Sequence, residues 1–339
     1  MNYPENLKKG DTIGICAPSG GIAEPEKIIR LDLAIKTLEN MGYKVIETDH
    51  VRTEKLGRSA DAKTRANEFM ELYENKDVKL IIFAAGGDFL CEILDYLDWN
   101  KIKNLPPKWM QGYSDITGIS YLFNTMLDIP TMYCQTIKDY AMKPLFKNLT
   151  DALDIVSGKE IIQESFEMYE NEWIEEECSP TASYNLTTKV EWKNVLGGDK
   201  VEIKGRSLGG CLDCVMSYIG TKYDNVKNYI EKHKEDGIVW FLESFELGTA
   251  TVLRTLWQMK NAGYFENCTG IIFGRPLFVR EDYDVSFNDT VKEFFKDFNI
   301  PVICDADIGH KSPQLAIVNG AILKIISEDG KGTVETYLK

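Results

Sequence analysis

No apolar run in the sequence reaches the roughly 18 residues that a membrane-spanning helix needs. The opening segment, MNYPENLKKGDTIGICAP, also lacks the basic stretch, apolar core and small-residue cleavage site of a signal peptide. We therefore expect a protein that neither spans a membrane nor is exported, and that works in the cytoplasm.

Positive charge is also in short supply. The chain has 39 Lys and Arg residues against 53 Asp and Glu residues, and its formal net charge is −14. A chain with this charge repels nucleic acid and anionic lipid unless it carries a local basic patch, and no run of Lys or Arg suggests one. We expect neither a nucleic acid nor a membrane as a partner. Apolar residues make up 44% of the chain, which is enough to bury a core.

Cysteine pairs with the spacing of metal ligands are scarce. Only Cys211 and Cys214 form a CxxC motif, and a structural zinc site usually needs a second pair or histidines at matching spacing. We therefore expect no metal and no other cofactor, and we interpret the cysteines as buried thiols in a reducing compartment. The remaining six cysteines are Cys16, Cys91, Cys134, Cys178, Cys268 and Cys304.

Strand-like and helix-like segments alternate through the first third of the chain. Near-continuous apolar runs such as TIGICAP and VKLIIFAAGG are separated by segments of helical periodicity. This alternation predicts an α/β fold, with a parallel sheet that helices cover on both faces. Ligands bind beyond the carboxyl ends of the strands in such sheets, where we expect to find Pro18-Ser19-Gly20, Gly86-Gly87 and Ser114.

The middle of the chain, from about residue 140 to 205, has a different character. It is acidic, has weak periodicity and carries Trp173 and Trp192. We interpret it as a crossover with short strands and place a domain boundary near residue 165. This gives an N-terminal domain over 1–165 and a C-terminal domain over 166–339, in which strand–helix alternation resumes after residue 206.

The stretch WMQGYSDITG places Ser114 between a strand-like run and a helix-like run. One interpretation is an ordinary N-cap serine. The other is a nucleophile on a tight strand-to-helix turn, and Gly112 favours it by removing a side chain where such a turn is crowded. Ile116 stands where the common α/β-hydrolase motif has its second glycine. The local sequence supports the two interpretations equally.

A nucleophilic serine needs a base, and the base needs an orienting group. Of the three histidines, His50 and His233 are typical of polar surface or satisfied core residues. His310 is the better candidate because it follows the apolar strand VICDADIG. Glu243, at the end of the strand IVWFLE, is the candidate orienting carboxylate, and Glu246 competes with it.

Acyl transfer also needs hydrogen-bond donors for the developing oxyanion. The backbone amide of Asp115, directly after the candidate nucleophile, is the natural first donor. The turn Gly86-Gly87 is a candidate for the second. The alternative for these glycines is a tight βα turn or a phosphate-binding loop, but their surroundings lack the GxGxxG spacing of a dinucleotide site.

Together these segments resemble a family of serine peptidases, the LD-carboxypeptidases of murein recycling and the microcin C immunity proteins. The resemblance runs in the family's order over nearly the whole chain, and its most specific elements are GYSD and GH. The matching segments are GDTIGICAPSG, FAAGGDFLCEILDYLDW, KWMQGYSDITG, LGGCLDCVMSYIGTKYD, WFLESFE, GIIFGRP and DADIGHKSPQLAIVNGA.

The resemblance implies a role for each candidate residue: Ser114 as nucleophile, Glu243 as triad carboxylate and His310 as general base. It further implies an N-terminal parallel-sheet domain resembling class I glutamine amidotransferases and a smaller mixed α/β C-terminal domain that contains β-strands. The active site is expected between the domains, in a homodimer without metal. An amidotransferase activity would need a cysteine at position 114 and is therefore disfavoured.

This sequence departs from the family pattern at positions that border the expected pocket. Cys211 stands where the family often has Asn, Asp88 where it often has Tyr, and Lys311 where it often has Thr. These differences leave the substrate open, although segments such as QGYSDITG resemble the immunity-protein branch more closely.

The predicted function is hydrolysis of an amide bond through an acyl-enzyme, in a murein peptide or a microcin-like peptidyl-nucleotide. Arg275 and Lys311 are candidates for pairing with an anionic group of the substrate, although a solvated charge is the favoured interpretation of both. The alternative from another class is a non-catalytic, two-lobed protein that binds a small ligand or peptide.

Overall fold

The computed structural model describes residues 1–172 and 179–338. Trp173, Cys178 and the acidic stretch between them, on which part of the crossover prediction depends, lie outside the described residues. In chain order, the strands are β1 (Thr12–Cys16), β2 (Lys44–Glu47), β3 (Val78–Phe83), β4 (Trp109–Gly112), β5 (Thr131–Tyr133), β6 (Ile162–Glu164), β7 (Met168–Tyr169), β8 (Thr188–Lys189), β9 (Lys193–Asn194), β10 (Lys200–Cys211), β11 (Ile238–Glu243), β12 (Cys268–Gly274), β13 (Val302–Ala306), β14 (Ile317–Asn319), β15 (Ile322–Glu328) and β16 (Lys331–Tyr337).

Helices connect most of the parallel strands. They are α1 (Pro25–Asn40), α2 (Ala62–Glu74), α3 (Trp99–Lys103), α4 (Thr117–Leu127), α5 (Lys147–Val156), α6 (Leu212–Tyr218), α7 (Val226–Lys232), α8 (Thr249–Asn261) and α9 (Phe287–Phe295). None of the helices in the described part of the chain combines the length and apolar character needed to cross a membrane.

The first sheet has the strand order β14-β5-β4-β3-β1-β2. Strands β1 to β5 are mutually parallel, and β14 adds antiparallel to β5 at one edge. Alternate residues of the buried strand β3 face opposite ways: Leu80 and Ile82 pack in the cluster that contains helix α1, whereas Ile81 and Phe83 pack in the cluster that contains helix α2. The prediction of a parallel sheet covered on both faces is therefore confirmed.

The second sheet has the order β6-β16-β15-β10-β11-β12-β13-β9. Its central strands β10 to β13 are parallel, and antiparallel strands flank them on both sides. Trp240 and Leu242 of β11 pack on the same side as helix α8, while Phe241 faces the other side. This mixed sheet matches the α/β prediction for the second half of the chain.

The two sheets share a buried core. The ring of Tyr133, at the end of β5, lies 5.5 Å from that of Phe241 in β11, and the rings of Tyr121 and Trp240 lie 6.4 Å apart. Strand β14 also returns from the second half of the chain to the edge of the first sheet. The carboxyl ends of parallel strands from both sheets consequently lie close together. The division near residue 165 remains a prediction.

Candidate active site

Ser114 lies on a strained turn between β4 and α4. Its φ is 63°, in the left-handed region that a non-glycine residue rarely adopts. The residue before α4 is Ile116, so Ser114 lies two positions too early to be the N-cap of that helix. A Cβ on Gly112 would lie 3.0 Å from side-chain carbons of both Phe83 and Ile116, which explains the glycine there. The turn therefore presents the serine hydroxyl instead of using it as a cap.

A chain of hydrogen bonds links the three residues predicted to form a triad. The Ser114 hydroxyl lies 2.9 Å from Nε2 of His310, and Nδ1 of the same ring lies 2.9 Å from Oε2 of Glu243. An ionised carboxylate only accepts hydrogen bonds, so we assign the ring proton to Nδ1, which leaves Nε2 to accept from the serine. This is the arrangement in which an imidazole can take a proton from a hydroxyl.

Two strand ends deliver the imidazole and the carboxylate. Glu243 is the last residue of β11, and His310 follows β13 after a short loop. Gly309 within that loop has a φ of 93°, and a Cβ there would lie 2.6 Å from Oε2 of Glu243. Glycine is required at this position both for its conformation and for the close approach to the carboxylate.

The Glu243 carboxylate is completely buried. Burial opposes its ionisation, but the electrostatic attraction and hydrogen bond of the His310 ring, with a further hydrogen bond from Tyr133, hold the pKa of Glu243 below its usual value. The hydroxyl of Tyr133 donates to Oε1 at 2.6 Å and accepts from the backbone N–H of Ser114 at 3.2 Å. This tyrosine therefore touches both ends of the triad.

Glu246 does not reach the imidazole. Its side chain is exposed on the rim of the cavity, and its backbone N–H donates to the carboxylate of Asp213 at 3.0 Å. The structure thus brings Glu243 to His310 and leaves Glu246 outside the hydrogen-bond chain.

The candidate oxyanion region lies beside Ser114. A Cβ on Gly86 would lie 3.1 Å from Oγ of Ser114 and 3.6 Å from the amide nitrogen of Asp115, so this glycine backbone borders the reacting oxygen directly. The Asp115 carboxylate is buried, which raises its pKa, and it accepts hydrogen bonds from Ser19 Oγ and the Leu90 N–H. Its side chain ties the nucleophile turn to the loops after β1 and β3.

These residues open into a cavity of about 640 Å³. The first half of the chain contributes Gly86, Gly87 and Ser114 to its lining, and the second half contributes His310 and the ring of Phe245. The predicted location of ligand-binding groups at the carboxyl ends of parallel strands agrees with this arrangement.

The remaining candidate residues lie elsewhere. Arg275 is buried, pairs with Asp307 at 2.8 Å and does not line the cavity. Lys311 is also absent from the lining, and its ammonium group donates to Asn171. A role for either cation in substrate binding remains a prediction.

The other two histidines have structural partners outside the cavity. His50 pairs with Glu68, and His233 pairs with Asp128 at 2.8 Å. Within the described residues, no group of three or more His, Cys, Asp or Glu side chains is arranged to hold a metal ion.

Tyr133 was not among the residues predicted to form the site. This tyrosine is the last residue of β5, and a polar group at the carboxyl end of a parallel strand is a recognisable signal. Cys211 was expected to border the pocket and Cys214 was given no site role, and both line the cavity.

Comparison with known proteins supports the resemblance found in the sequence. Residues 13–134 match the model of the LD-carboxypeptidase N-terminal domain, and residues 204–325 match that of the LD-carboxypeptidase C-terminal domain. The chain belongs to the LD-carboxypeptidase family. The order of the two matches along the chain follows the order of the two sheets, with the nucleophile turn in the first match and the two strand-end residues in the second.

Among the proteins similar to this chain, some are named as carboxypeptidases and others as microcin immunity proteins. The chain is 26% identical over 325 residues to the probable murein peptide carboxypeptidase of Bacillus subtilis, covering 95% of this chain and 91% of that protein. It is 27% identical over 332 residues to the microcin C7 self-immunity protein MccF of Escherichia coli, covering 94% and 91%. The crystal structure of an MccF-like protein from Bacillus anthracis superposes with a TM-score of 0.81 at 24% identity, covering 99% of both chains.

The family assignment confirms three predictions. The chain is an enzyme of the serine-peptidase type, it carries the predicted two-sheet α/β fold, and its relatives include both murein peptide carboxypeptidases and microcin immunity proteins.

Proposed function

We propose that the protein is a serine carboxypeptidase in which Ser114, His310 and Glu243 hydrolyse an amide bond near the carboxyl end of a small substrate. The observation that carries this proposal is the hydrogen-bond chain from Ser114 Oγ through both nitrogens of His310 to the buried Glu243, opening into the cavity. Nucleophilic catalysis by a serine needs an imidazole as base and a carboxylate that orients the imidazole. His310 and the buried Glu243, whose pKa is lowered, meet this requirement.

In the proposed mechanism, Ser114 Oγ attacks the substrate carbonyl while Nε2 of His310 takes the hydroxyl proton. Glu243 stabilises the imidazolium through Nδ1. The amide N–H of Asp115 and the backbone of the Gly86-Gly87 turn are proposed to stabilise the oxyanion, and each such donor contributes on the order of 100- to 1,000-fold in rate.

Breakdown of the tetrahedral adduct completes the first half of the proposed reaction. The imidazolium returns its proton to the leaving nitrogen, and the acyl group remains on Ser114. Water then attacks the ester with His310 as base, which releases the carboxylic acid and regenerates the serine.

The proposed substrate is a small peptide of one of two kinds, a murein peptide or a peptidyl-nucleotide. The Bacillus subtilis relative is named for murein peptides, which favours a peptide with a terminal D-alanine. The Escherichia coli relative is named for microcin C7 immunity, which favours a peptidyl-nucleotide. We propose the chemistry for both and leave the choice to a direct assay.

The test has two parts. A fluorophosphonate probe should label the wild-type protein at Ser114, and labelling should disappear in Ser114→Ala. Purified protein should then be incubated separately with a murein tetrapeptide and with an aminoacyl-adenylate analogue, with D-alanine and nucleotide release measured by mass spectrometry. If the probe does not label Ser114 and no acyl substrate is hydrolysed, the protein is instead a non-catalytic binding protein of two lobes.

Three further predictions concern the assembly, the location and the domain division of the protein. We propose that the protein is a homodimer, that it works in the cytoplasm, and that the chain divides into two domains near residue 165. Light scattering of the purified protein tests the first, fractionation of the native host the second, and limited proteolysis the third.

A further inference from the structure

The CxxC motif occupies the junction between a strand and a helix beside the candidate nucleophile. Cys211 is the last residue of β10, and Cys214 lies in the first turn of α6. Residues three apart at a helix start have Cα atoms about 5 Å apart, within the range of about 4.4–6.8 Å that a disulfide spans. Both thiols line the same cavity, and each thiol affects the pKa of the other. A bond between the two sulfurs therefore needs little backbone movement.

The pair touches both halves of the catalytic arrangement. Sγ of Cys214 lies 3.7 Å from the carbonyl oxygen of Ser114 and 3.9 Å from Oδ1 of Asp115. The backbone N–H of Cys211 donates to Oγ1 of Thr117, at the start of α4, and its thiol donates to the carboxylate of Asp213 at 3.6 Å. Cys211 also lies beside Glu243, its register partner in the neighbouring strand β11. A chemical change at these sulfurs therefore takes place in contact with the nucleophile turn and beside the residue that carries the triad carboxylate.

The two cysteines differ in accessibility and acidity. Cys211 is buried, whereas Cys214 is partly exposed, and both line the catalytic cavity. The neighbouring Cys211 favours the thiolate of Cys214, although burial and nearby carboxylates leave the pKa of Cys214 above its usual value. Cys214 is thus the sulfur that a reagent entering the cavity meets first, and Cys211 is positioned behind it.

We propose that Cys211 and Cys214 form an oxidation site for hydroperoxides, and that their disulfide slows the reaction of Ser114. In the first step the Cys214 sulfur attacks the peroxide oxygen, which forms a sulfenic acid and releases water or an alcohol. The Cys211 sulfur then attacks the sulfenic sulfur, displaces its hydroxyl group as water and closes the disulfide. Together the two thiols lose two protons and two electrons, and the peroxide accepts both pairs.

The disulfide acts on Ser114 through lost contacts. Oxidation removes both S–H groups, and the S–S bond of about 2 Å draws the Cys214 sulfur toward Cys211 and away from the Ser114 carbonyl. A non-glycine residue at positive φ persists only where its surroundings hold it in place, so the loss of this contact loosens the nucleophile turn. The effect on Ser114 rests on the proposed function, whereas formation of the disulfide does not.

The chain itself makes the chemical readout simple. Cleavage after Arg206 and Lys222 by trypsin yields residues 207–222, and within that peptide Cys211 and Cys214 are the only cysteines. After treatment of the folded protein with hydrogen peroxide, we expect this peptide to lose two hydrogen atoms and to resist alkylation. Dithiothreitol should restore both the mass and the alkylation.

The second readout is the rate at which a fluorophosphonate labels Ser114 before and after oxidation. We expect at least about tenfold slower labelling of the oxidised protein, with recovery after reduction, because the oxyanion donors and the nucleophile share the affected turn. The ratio of the two rates is taken within each variant, so a changed basal rate does not confuse the result.

Matched cysteine variants test whether the disulfide causes the slower labelling. Cys214→Ser and Cys211→Ser should each abolish the disulfide and the peroxide effect on labelling, whereas Cys91→Ser, at an exposed cysteine of the same cavity, should preserve both. A wild-type peptide that keeps both thiols after peroxide, or a disulfide that leaves the labelling rate unchanged, overturns the proposal. A reduced protein that never labels contradicts the proposed function, and the peptide mass then decides the oxidation site alone.

Discussion

The two halves of the molecule prepare their contributions to the site in different ways. The first sheet presents Ser114 through backbone conformation, with a φ of 63° and glycine backbone packed against the hydroxyl. The second sheet presents Glu243 and His310 through burial and hydrogen bonding, with a carboxylate that has no exposed surface. The first half of the molecule positions the oxygen of Ser114, and the second half stabilises the charge of Glu243.

The difference shows which kinds of change each half tolerates. In the first half, an added methyl group or an altered φ displaces the reacting oxygen while leaving the charges in place. In the second half, an isosteric change that removes the charge of Glu243 preserves the shape of the site. It removes the group that stabilises the imidazolium of His310. Substitutions that preserve shape should therefore separate the two contributions.

The largest effect is expected for Ser114→Ala, which removes the reacting oxygen. Activity should fall by about a million-fold, as expected when a triad nucleophile is lost. The free energy of unfolding should stay within about 0.5 kcal/mol of wild type, because the hydroxyl has a single hydrogen-bond partner, His310, among the residues that the structure describes. Steady-state kinetics and urea unfolding measure the two quantities, and residual activity close to wild type would show that another nucleophile is used.

Glu243→Gln should lower kcat by about 10,000-fold, since the amide neither fixes the productive tautomer of His310 nor stabilises an imidazolium. Unlike the serine substitution, it should also lower the free energy of unfolding by about 1–3 kcal/mol, because it disrupts a buried hydrogen-bond network. Glu246→Gln is the control, with an expected loss of less than about tenfold; equal losses in the two variants would contradict the assignment.

The same carboxylate has a signature in the pH dependence of stability. The pKa of Glu243 is lower in the folded protein than its usual value of 4.5, so its stabilising contribution is fully present above pH 4.5. It is lost as the pH falls through the lowered pKa. The difference in unfolding free energy between wild type and Glu243→Gln should therefore shrink below pH 4.5, as measured by denaturant titration at several pH values.

Gly86→Ala tests the backbone contribution of the first half. The added methyl group would lie 3.1 Å from Ser114 Oγ, so kcat/KM should fall by about 100-fold through displacement of the hydroxyl and the adjacent oxyanion donors. Thermal unfolding should show whether the fold survives. Full activity in a folded variant would remove this glycine from the site.

Tyr133→Phe probes the contact between the halves. Loss of the hydroxyl leaves the Ser114 N–H and Glu243 without a shared partner, and kcat should fall by about tenfold with KM unchanged. Because the hydrogen bond from Tyr133 lowers the pKa of Glu243, its removal should shift the acid limb of the pH–rate profile to higher pH.

The control for this substitution is Tyr140→Phe. Tyr140 is an equally buried tyrosine, but its hydroxyl donates to Gln111, away from the triad. It should lose stability without moving the pH profile. Identical profiles for the two variants would reduce Tyr133 to a packing role.

The smallest effect is expected at an ion pair that joins the two halves away from the cavity. Asp128 contacts Lys232 and His233, and their hydrogen bonds and charges lower its pKa to about 2 despite burial. Asp128→Asn should cost about 1–2 kcal/mol in unfolding free energy at neutral pH. Asparagine tolerates the left-handed conformation of this residue, so the backbone should be unaffected.

The pH dependence distinguishes charge from shape at this pair. A lowered carboxyl pKa gives stability that is present at neutral pH and is lost as the pH falls from about 4 to about 2. The control is Asp95→Asn, because Asp95 pairs with Lys222 between the same two halves on the exposed surface. That variant should change stability by less than about 0.5 kcal/mol, and a larger change there would mean that exposed pairs also hold the halves together.

The sequence alone was sufficient for the α/β architecture, because continuous apolar strands and helical periodicity are local signals. It also led to Ser114, His310 and Glu243, but through family resemblance, since the local pattern around Ser114 supported a helix cap equally well. The position of Tyr133 at a strand end is a recognisable signal, but its contacts with Ser114 and Glu243 could not be predicted this way. The same holds for the contact between the CxxC pair and the nucleophile turn, because each depends on which strand ends meet in space.

What the sequence by itself determined is therefore the list of strand ends and the polar residues that follow them. Only the tertiary structure decided which of those ends converge. Glu243 and Glu246 are three residues apart in one segment, yet the first is buried against His310 and the second is exposed. The physical reason is that a hydrogen bond over 67 or 196 residues of separation depends on the packing of two sheets, and no local pattern records that packing.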